Sequence, residues 1–263
     1  MSAPVLLFER DGAVARLTLN RPDAANSIDL PLARALYDAA LTCDTDPAIR
    51  CVVLTGAGRM FCAGGDVAVM AGAGDKVASV VGELANVLHS AVARFARMNK
   101  PLVVLVNGPA AGAGLSLALC GDVVLAARSV KFTAAYGALG VSPDGGLSWL
   151  LPRLVGLRRA QEIIISNRRL DAEEAQAIGM ITRAVDDETL VEEGARLAAN
   201  FAQSATRAIG ATRALLLASF ENSLETHLEL EGRGIAAAVS GTEGQEGIAA
   251  FLAKRKADFP GAA

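Results

Sequence analysis

Two stretches of this chain repeat one layout: an apolar run of strand length, a loop of small residues, and the opening of a helix. The first is VVLTGAGRMFCAGGDV, residues 52–67, and the second is LVVLVNGPAAGAGLSLAL, residues 102–119. A continuous apolar run stopped by Gly or Asn fits a strand buried on both faces. Strands of that kind belong to parallel sheets covered by helices, which restricts the chain to α/β architectures. Residues 51–55, 102–106 and 123–126 read as such strands, and residues 14–19 read as a further strand, ending at the turn Asn20-Arg21-Pro22-Asp23. Between them, Leu32, Leu36 and Ala40 mark one helical face, with Asp29 as its N-cap and Pro31 in the first turn. Leu84, Leu88, Val92 and Phe95 mark a second helix, which ends before Lys100-Pro101.

Past Leu170 the apolar positions keep helical spacing. Helices are predicted over 171–178, 190–201, 206–220, 224–239 and 243–256, with no further strand. This divides the chain into a core of residues 1–195 and a helical region of residues 196–263. So apolar a helical tail must pack on its own core or on a neighbouring subunit.

Composition narrows the function classes. A chain of 263 residues holds one large α/β domain, and 52% hydrophobic against 20% charged residues excludes disorder. A net charge of −3 offers no basic field to nucleic acid or an anionic membrane. Cys43, Cys51, Cys62 and Cys120 sit in apolar segments and read as reduced core residues, not a disulfide framework. The uncharged stretch 101–121 is long enough to span a bilayer, but Asn107-Gly108-Pro109 breaks it and neither basic flanks nor aromatic belts frame it. The opening MSAPVLLFER lacks the basic and apolar regions of a signal peptide, so a soluble, cytoplasmic protein is expected. No Cys/His cluster has metal-ligand spacing, so no metal is expected.

Small residues let a ligand approach the backbone, and a helix opening presents unsatisfied N–H groups at its positive end. Either loop alone is accounted for by close strand–helix packing; two together could aim two amides at one oxygen anion. Rival motifs fit poorly. Gly56-Ala57-Gly58 and Gly112-Ala113-Gly114 begin like dinucleotide loops but lack the third glycine. Gly114-Leu115-Ser116-Leu117-Ala118 lacks the second glycine of a nucleophile elbow. His89 and His227, the two histidines, leave few general bases for a serine.

These two loops, with Asn20-Arg21-Pro22 near the start and Glu246-Gly247-Ile248-Ala249-Ala250-Phe251 and Lys254-Arg255 near the end, resemble the crotonase superfamily of enoyl-CoA hydratases and isomerases. The resemblance runs nearly end to end. It implies a spiral of ββα units, a C-terminal helical region that builds a trimer or a dimer of trimers, and an acyl-CoA thioester substrate with no separate cofactor. By motif, the family's two oxyanion-hole amides fall on Ala63 and Ala113. Ala63, Gly64 and Asp66 of the first loop are then expected to line the pocket near the CoA, although Asp66, just before Val67, reads first as a helix N-cap. Phe251 and Lys254 match positions that reach a neighbouring subunit's acyl-CoA site, although an aromatic on a buried helix face and a Lys on a wet one explain them equally.

The departures from the family pattern are informative. The two glutamates of the hydratases fall on Ser116 and Tyr136, neither of which is a carboxylate base. Asp144, in Ser142-Pro143-Asp144-Gly145-Gly146, resembles the aspartate that moves protons in the family's phenylacetate-pathway isomerases. One carboxylate suffices to carry a proton from C2 to C4 of a 3-enoyl thioester. An Asp after Pro and before Gly-Gly is also an ordinary turn residue or N-cap; given the resemblance, proton transfer is placed first. His89 resembles the histidine of the family's chlorobenzoyl-CoA dehalogenase, which assists water, but a surface or capping histidine on an amphipathic helix is placed first. The expectation is an enoyl-CoA isomerase, with hydratase, hydrolase or dehalogenase, and a non-catalytic acyl-CoA-binding scaffold as alternatives.

Overall fold

In the computed structural model, which describes residues 3–262, the apolar runs lie side by side in one sheet. β1 (Leu6–Asp11) and β2 (Val14–Leu19) form an antiparallel hairpin in the register Leu6↔Leu19. β3 (Cys51–Gly56) pairs parallel with β2, and β4 (Leu102–Val106) pairs parallel with β3. β5 (Ala110–Ala111) leaves this sheet, and β6 (Val123–Ala127) returns to pair parallel with β4. β7 (Lys131–Thr133) and β8 (Arg169–Asp171) join β5 in a second, three-stranded sheet. β9 (Arg183–Val185) closes the large sheet, whose order is β1-β2-β3-β4-β6-β9. β4 is buried at every position, as its unbroken apolar run requires, whereas β2 alternates because only one of its faces meets the core.

Helices cover the sheet. α1 (Leu30–Thr45) starts where the Asp29 carboxylate accepts the Leu32 N–H at 2.9 Å, the expected cap. Its buried face of Leu32, Leu36 and Ala40 packs on the third helix. α2 (Val67–Gly72) is short, and α3 (Val77–Arg97) buries Leu84, Leu88, Ala91 and Phe95. α4 (Ala113–Ala118) is wholly buried. α5 (Leu147–Val155), α6 (Leu157–Ser166) and α7 (Ala172–Ala177) lead to α8 (Leu190–Ala202), which packs on β2, β3, β4 and β6. This alternation is the α/β spiral expected of the chain.

One expectation is corrected. Strands do occur past Leu170: β8 ends at Asp171, and Arg183-Ala184-Val185 pairs with β6 although three residues carry too little pattern to be read. Residue 195, the expected end of the core, lies inside α8, which packs on the large sheet.

The remaining helices are α9 (Thr206–Ala218), α10 (Leu224–Ser240), α11 (Thr242–Leu252) and α12 (Phe259–Ala262). Charge pairs tie them to the core. Arg50, just before β3, meets Glu243 at 3.1 Å and donates to the Ala202 carbonyl at 2.8 Å. The other Glu243 oxygen accepts the Arg207 N–H at 2.9 Å. Arg50 and Glu243 are both buried, so removing either would strand a buried charge. Buried Arg213 pairs with the exposed Asp122 at 2.7 Å and donates to the Phe95 carbonyl. The outer faces, by contrast, leave Leu216, Phe220, Leu224, Leu228, Ile235 and Phe251 exposed, and α10 buries no residue.

Cys43, Cys51 and Cys62 are buried and Cys120 is half-buried, all four as free thiols. Burial pushes each of them up to about 12. Among the described residues, no helix is long and apolar enough to cross a membrane.

Candidate active site

The two small-residue loops meet main chain to main chain. The Ala111 amide donates to the Cys62 carbonyl at 3.0 Å, and the Phe61 amide to the Pro109 carbonyl at 3.2 Å. Two glycines permit this approach. A Cβ at Gly64, where φ is +97°, would stand 2.8 Å from the Ala111 oxygen and 3.2 Å from the Ala113 nitrogen. One at Gly114 would collide with the Cys62 carbonyl.

Backbone direction decides which amides are free. Ala113 is the first residue of α4, and its N–H has no acceptor among the described residues, as expected of a helix opening. Ala63 differs from expectation: its N–H donates to the Ala25 carbonyl at 3.0 Å and is therefore committed. Two residues on, Ile28 bonds to the Gly64 carbonyl (2.7 Å) and accepts the Asp66 amide (3.0 Å). The pleat then turns the intervening Gly65 N–H away from Ile28, and it finds no partner among the described residues. Within Cys62-Ala63-Gly64-Gly65 the free amide is that of Gly65, not Ala63.

Both carboxylate oxygens of Asp66 are taken up by partners within the chain. Its Oδ1 accepts the Ala68 and Val69 amides at the start of α2 (3.1 and 3.3 Å). Its Oδ2 takes both Arg21 Nη atoms at 3.0 Å and the Ser27 hydroxyl at 3.1 Å. Burial alone would raise this carboxyl, but the hydrogen bonds from Arg21, Val69 and Ser27 and the Arg21 charge hold it below its ordinary value. The cap expected of Asp66 is present, joined by an ion pair to Arg21 of Asn20-Arg21-Pro22, which also reaches Asp29 at 3.1 Å.

Against α4 stands a second cluster, drawn from four separate segments. Ser116 and Tyr136 are buried, Asp144 is half-buried and His89 is exposed. The Tyr136 hydroxyl donates to Asp144 Oδ1 at 2.8 Å and lies 3.2 Å from Ser116 Oγ. Ser116 in turn donates to the Asp144 carbonyl at 2.9 Å. Burial, joined by the Asp144 charge, raises the Tyr136 phenol, so it stays a protonated donor. No Lys, Arg or His forms an ion pair with Asp144 among the described residues. The Gly145 amide donates to His89 Nε2 at 3.0 Å, across 56 residues of sequence.

The structure thus gathers Gly64, Ala113, Ser116, Tyr136, Asp144 and His89 around the paired loops. Phe251 and Lys254 are not brought there: α11 packs on α10 and α12, and Phe251 is 83% exposed. Sequence reasoning missed the Gly65 amide and the His89–Gly145 contact. Two free main-chain N–H donors can stabilise a developing oxyanion, and one carboxylate without a cationic partner can move a proton.

Known proteins bear on this arrangement. Residues 9–262 match the family model described as enoyl-CoA hydratase/isomerase. The 1,2-epoxyphenylacetyl-CoA isomerase of Escherichia coli K12 is 40% identical over 260 residues, 97% of this chain and 98% of that protein. A protein of Rhizobium meliloti, described as a "probable enoyl-CoA hydratase", is 36% identical over 98% of this chain and 99% of its own length. The crystal structure of an enoyl-CoA hydratase from Polaromonas sp. JS666 superposes with a TM-score of 0.92 at 31% identity, covering 96% of this chain and 98% of that one. With the crotonase-type spiral, the paired loops and a family match over nearly the whole length, the chain belongs to the enoyl-CoA hydratase/isomerase family.

Proposed function

We propose that the protein isomerises an unsaturated acyl-CoA thioester, with Asp144 carrying the proton and the Gly65 and Ala113 amides holding the thioester oxygen. The observation that carries this reading is the single carboxylate. At the positions where the family's hydratases place glutamates, Ser116 and Tyr136 instead hydrogen-bond to Asp144. Removing a proton from C2 sends charge onto the thioester oxygen, where preorganised N–H donors stabilise the enolate. Tyr136 occupies Asp144 Oδ1, leaving Oδ2 to take the proton and return it at C4. No cofactor is needed beyond the CoA of the substrate.

The identity to the Escherichia coli 1,2-epoxyphenylacetyl-CoA isomerase favours a second reading of the acyl group, an arene epoxide rather than an aliphatic enoyl chain. A hydrolase or dehalogenase is less well supported, because His89 Nε2 already accepts the Gly145 N–H and is not free to activate water. Hydration by two glutamates lacks its acids.

The test is turnover in heavy water with 3-enoyl- and 2-enoyl-CoA, and with 1,2-epoxyphenylacetyl-CoA alongside. Migration of the double bond with deuterium in the product is expected. Tight thioester binding with neither exchange nor turnover would leave a non-catalytic binder and end the isomerase reading.

A homo-oligomer, a trimer or a dimer of trimers, is part of this proposal. Its support is the run of exposed Leu216, Phe220, Leu224, Leu228, Ile235 and Phe251 on the C-terminal helices, more apolar surface than a monomer leaves in water. Light scattering is expected to give three or six times 27.0 kDa. A monomer at micromolar concentration would overturn it.

A further inference from the structure

We infer that His89 is a positioning residue for Asp144: its neutral imidazole accepts the Gly145 N–H and so fixes the peptide from which the carboxylate hangs. This inference rests on the proposed proton-transfer role of Asp144. The Asp144–Gly145 peptide is gripped at both ends. Its carbonyl accepts the Ser116 hydroxyl at 2.9 Å, and its N–H donates to His89 Nε2 at 3.0 Å.

The turn needs these external partners. Gly145 and Gly146 stand at φ +60° and +87°, and two successive glycines give the backbone its widest freedom. A Cβ at Gly145 would lie 2.9 Å from Ser116 Cβ, so no side chain can stiffen the turn from within. The Leu147 amide closes it onto the Asp144 carbonyl at a longer 3.2 Å. From outside, the Tyr136 hydroxyl reaches the same carbonyl at 3.3 Å, and the two shorter anchors come from rigid elements: Ser116 from buried α4, and His89 from the 21-residue α3, whose inner face packs on α1. A nitrogen that accepts an N–H must carry a lone pair, so the His89 proton sits on Nδ1. What matters at position 89 is therefore a neutral acceptor at the right height, not a base.

The experiment compares His89→Leu, which removes the acceptor, with His89→Gln, which offers an amide oxygen in its place. His89 is exposed, so both variants should keep the fold, as a thermal melt would verify. Expected for His89→Leu is a kcat about tenfold lower with KM changed less than about twofold, the upper end of what one neutral hydrogen bond contributes. His89→Gln should return to within about threefold of wild type. Hydrogen exchange at the Gly145 amide should quicken about tenfold in His89→Leu and stay slow in His89→Gln. Unchanged kcat and exchange in His89→Leu would overturn the inference, as would an equal fall in both variants. Asp144→Asn is run in parallel. Wild-type turnover there would bring down the proton-transfer reading itself, whereas an inactive Asp144→Asn beside a fully active His89→Leu would remove only the role of His89.

Discussion

Asp144→Asn is expected to lower kcat by about 10²–10⁴-fold, the usual contribution of a positioned general base, with the fold intact. The substitution is nearly isosteric, and Tyr136 can donate to an amide oxygen as it does to Oδ1. The contacts from Ser116 and His89 use the main chain of residues 144 and 145, so they survive the change. No ion pair is broken, because Asp144 makes none among the described residues. What disappears is the one oxygen able to take a proton. Steady-state kinetics with a melting curve and the affinity for a saturated acyl-CoA checks this. A folded variant that binds the saturated thioester normally and turns over within tenfold of wild type would show that the proton moves by another route.

Ala113→Pro is the second large effect, an expected loss of about 10²–10³-fold in kcat, as for other deletions of a single oxyanion donor. Proline deletes the amide and leaves the helix in place, since Ala113 is the first residue of α4, where proline is well tolerated. The preceding residue matters too, because proline forces its neighbour out of the helical region. Gly112 already lies outside it, at φ 54° and ψ −131°, a conformation open to glycine. The loss should therefore fall on turnover rather than on stability. Unchanged turnover in a folded variant would remove the Ala113 amide from the mechanism.

The central strands could be read because burial on both faces leaves unbroken apolar runs, as in 102–106. β9 could not, since Arg183-Ala184-Val185 is short and mixed and owes its strand conformation to pairing with β6. The same limit governed the site. Which amide of Cys62-Ala63-Gly64-Gly65 is free depends on the carbonyls of Ala25 and Ile28, supplied by a segment more than thirty residues earlier. Small residues mark the loop, but only the pairing tells which N–H faces outward. Asp66 and Asp144 look alike in sequence, each beside Gly-Gly; Arg21 makes the first a structural ion pair, and the absence of such a partner leaves the second available. The contact between His89 and Gly145 has no sequence signature, because it joins a helix surface to a turn.

The contact between Gly64 and the segment 111–113 has one further consequence. The spacing of the free Gly65 and Ala113 amides is set by main chain against main chain, with no side chain as a spacer. Replacing the acids around it therefore leaves its dimensions untouched. Ser116 and Tyr136 stand on different elements from Gly65, so new proton donors and acceptors can be installed at those positions one at a time. In the proposed mechanism such a scaffold separates the part that stabilises an enolate from the part that decides the enolate's fate. Exchanging reactions would then be a matter of side-chain replacement around an unchanged pair of amides.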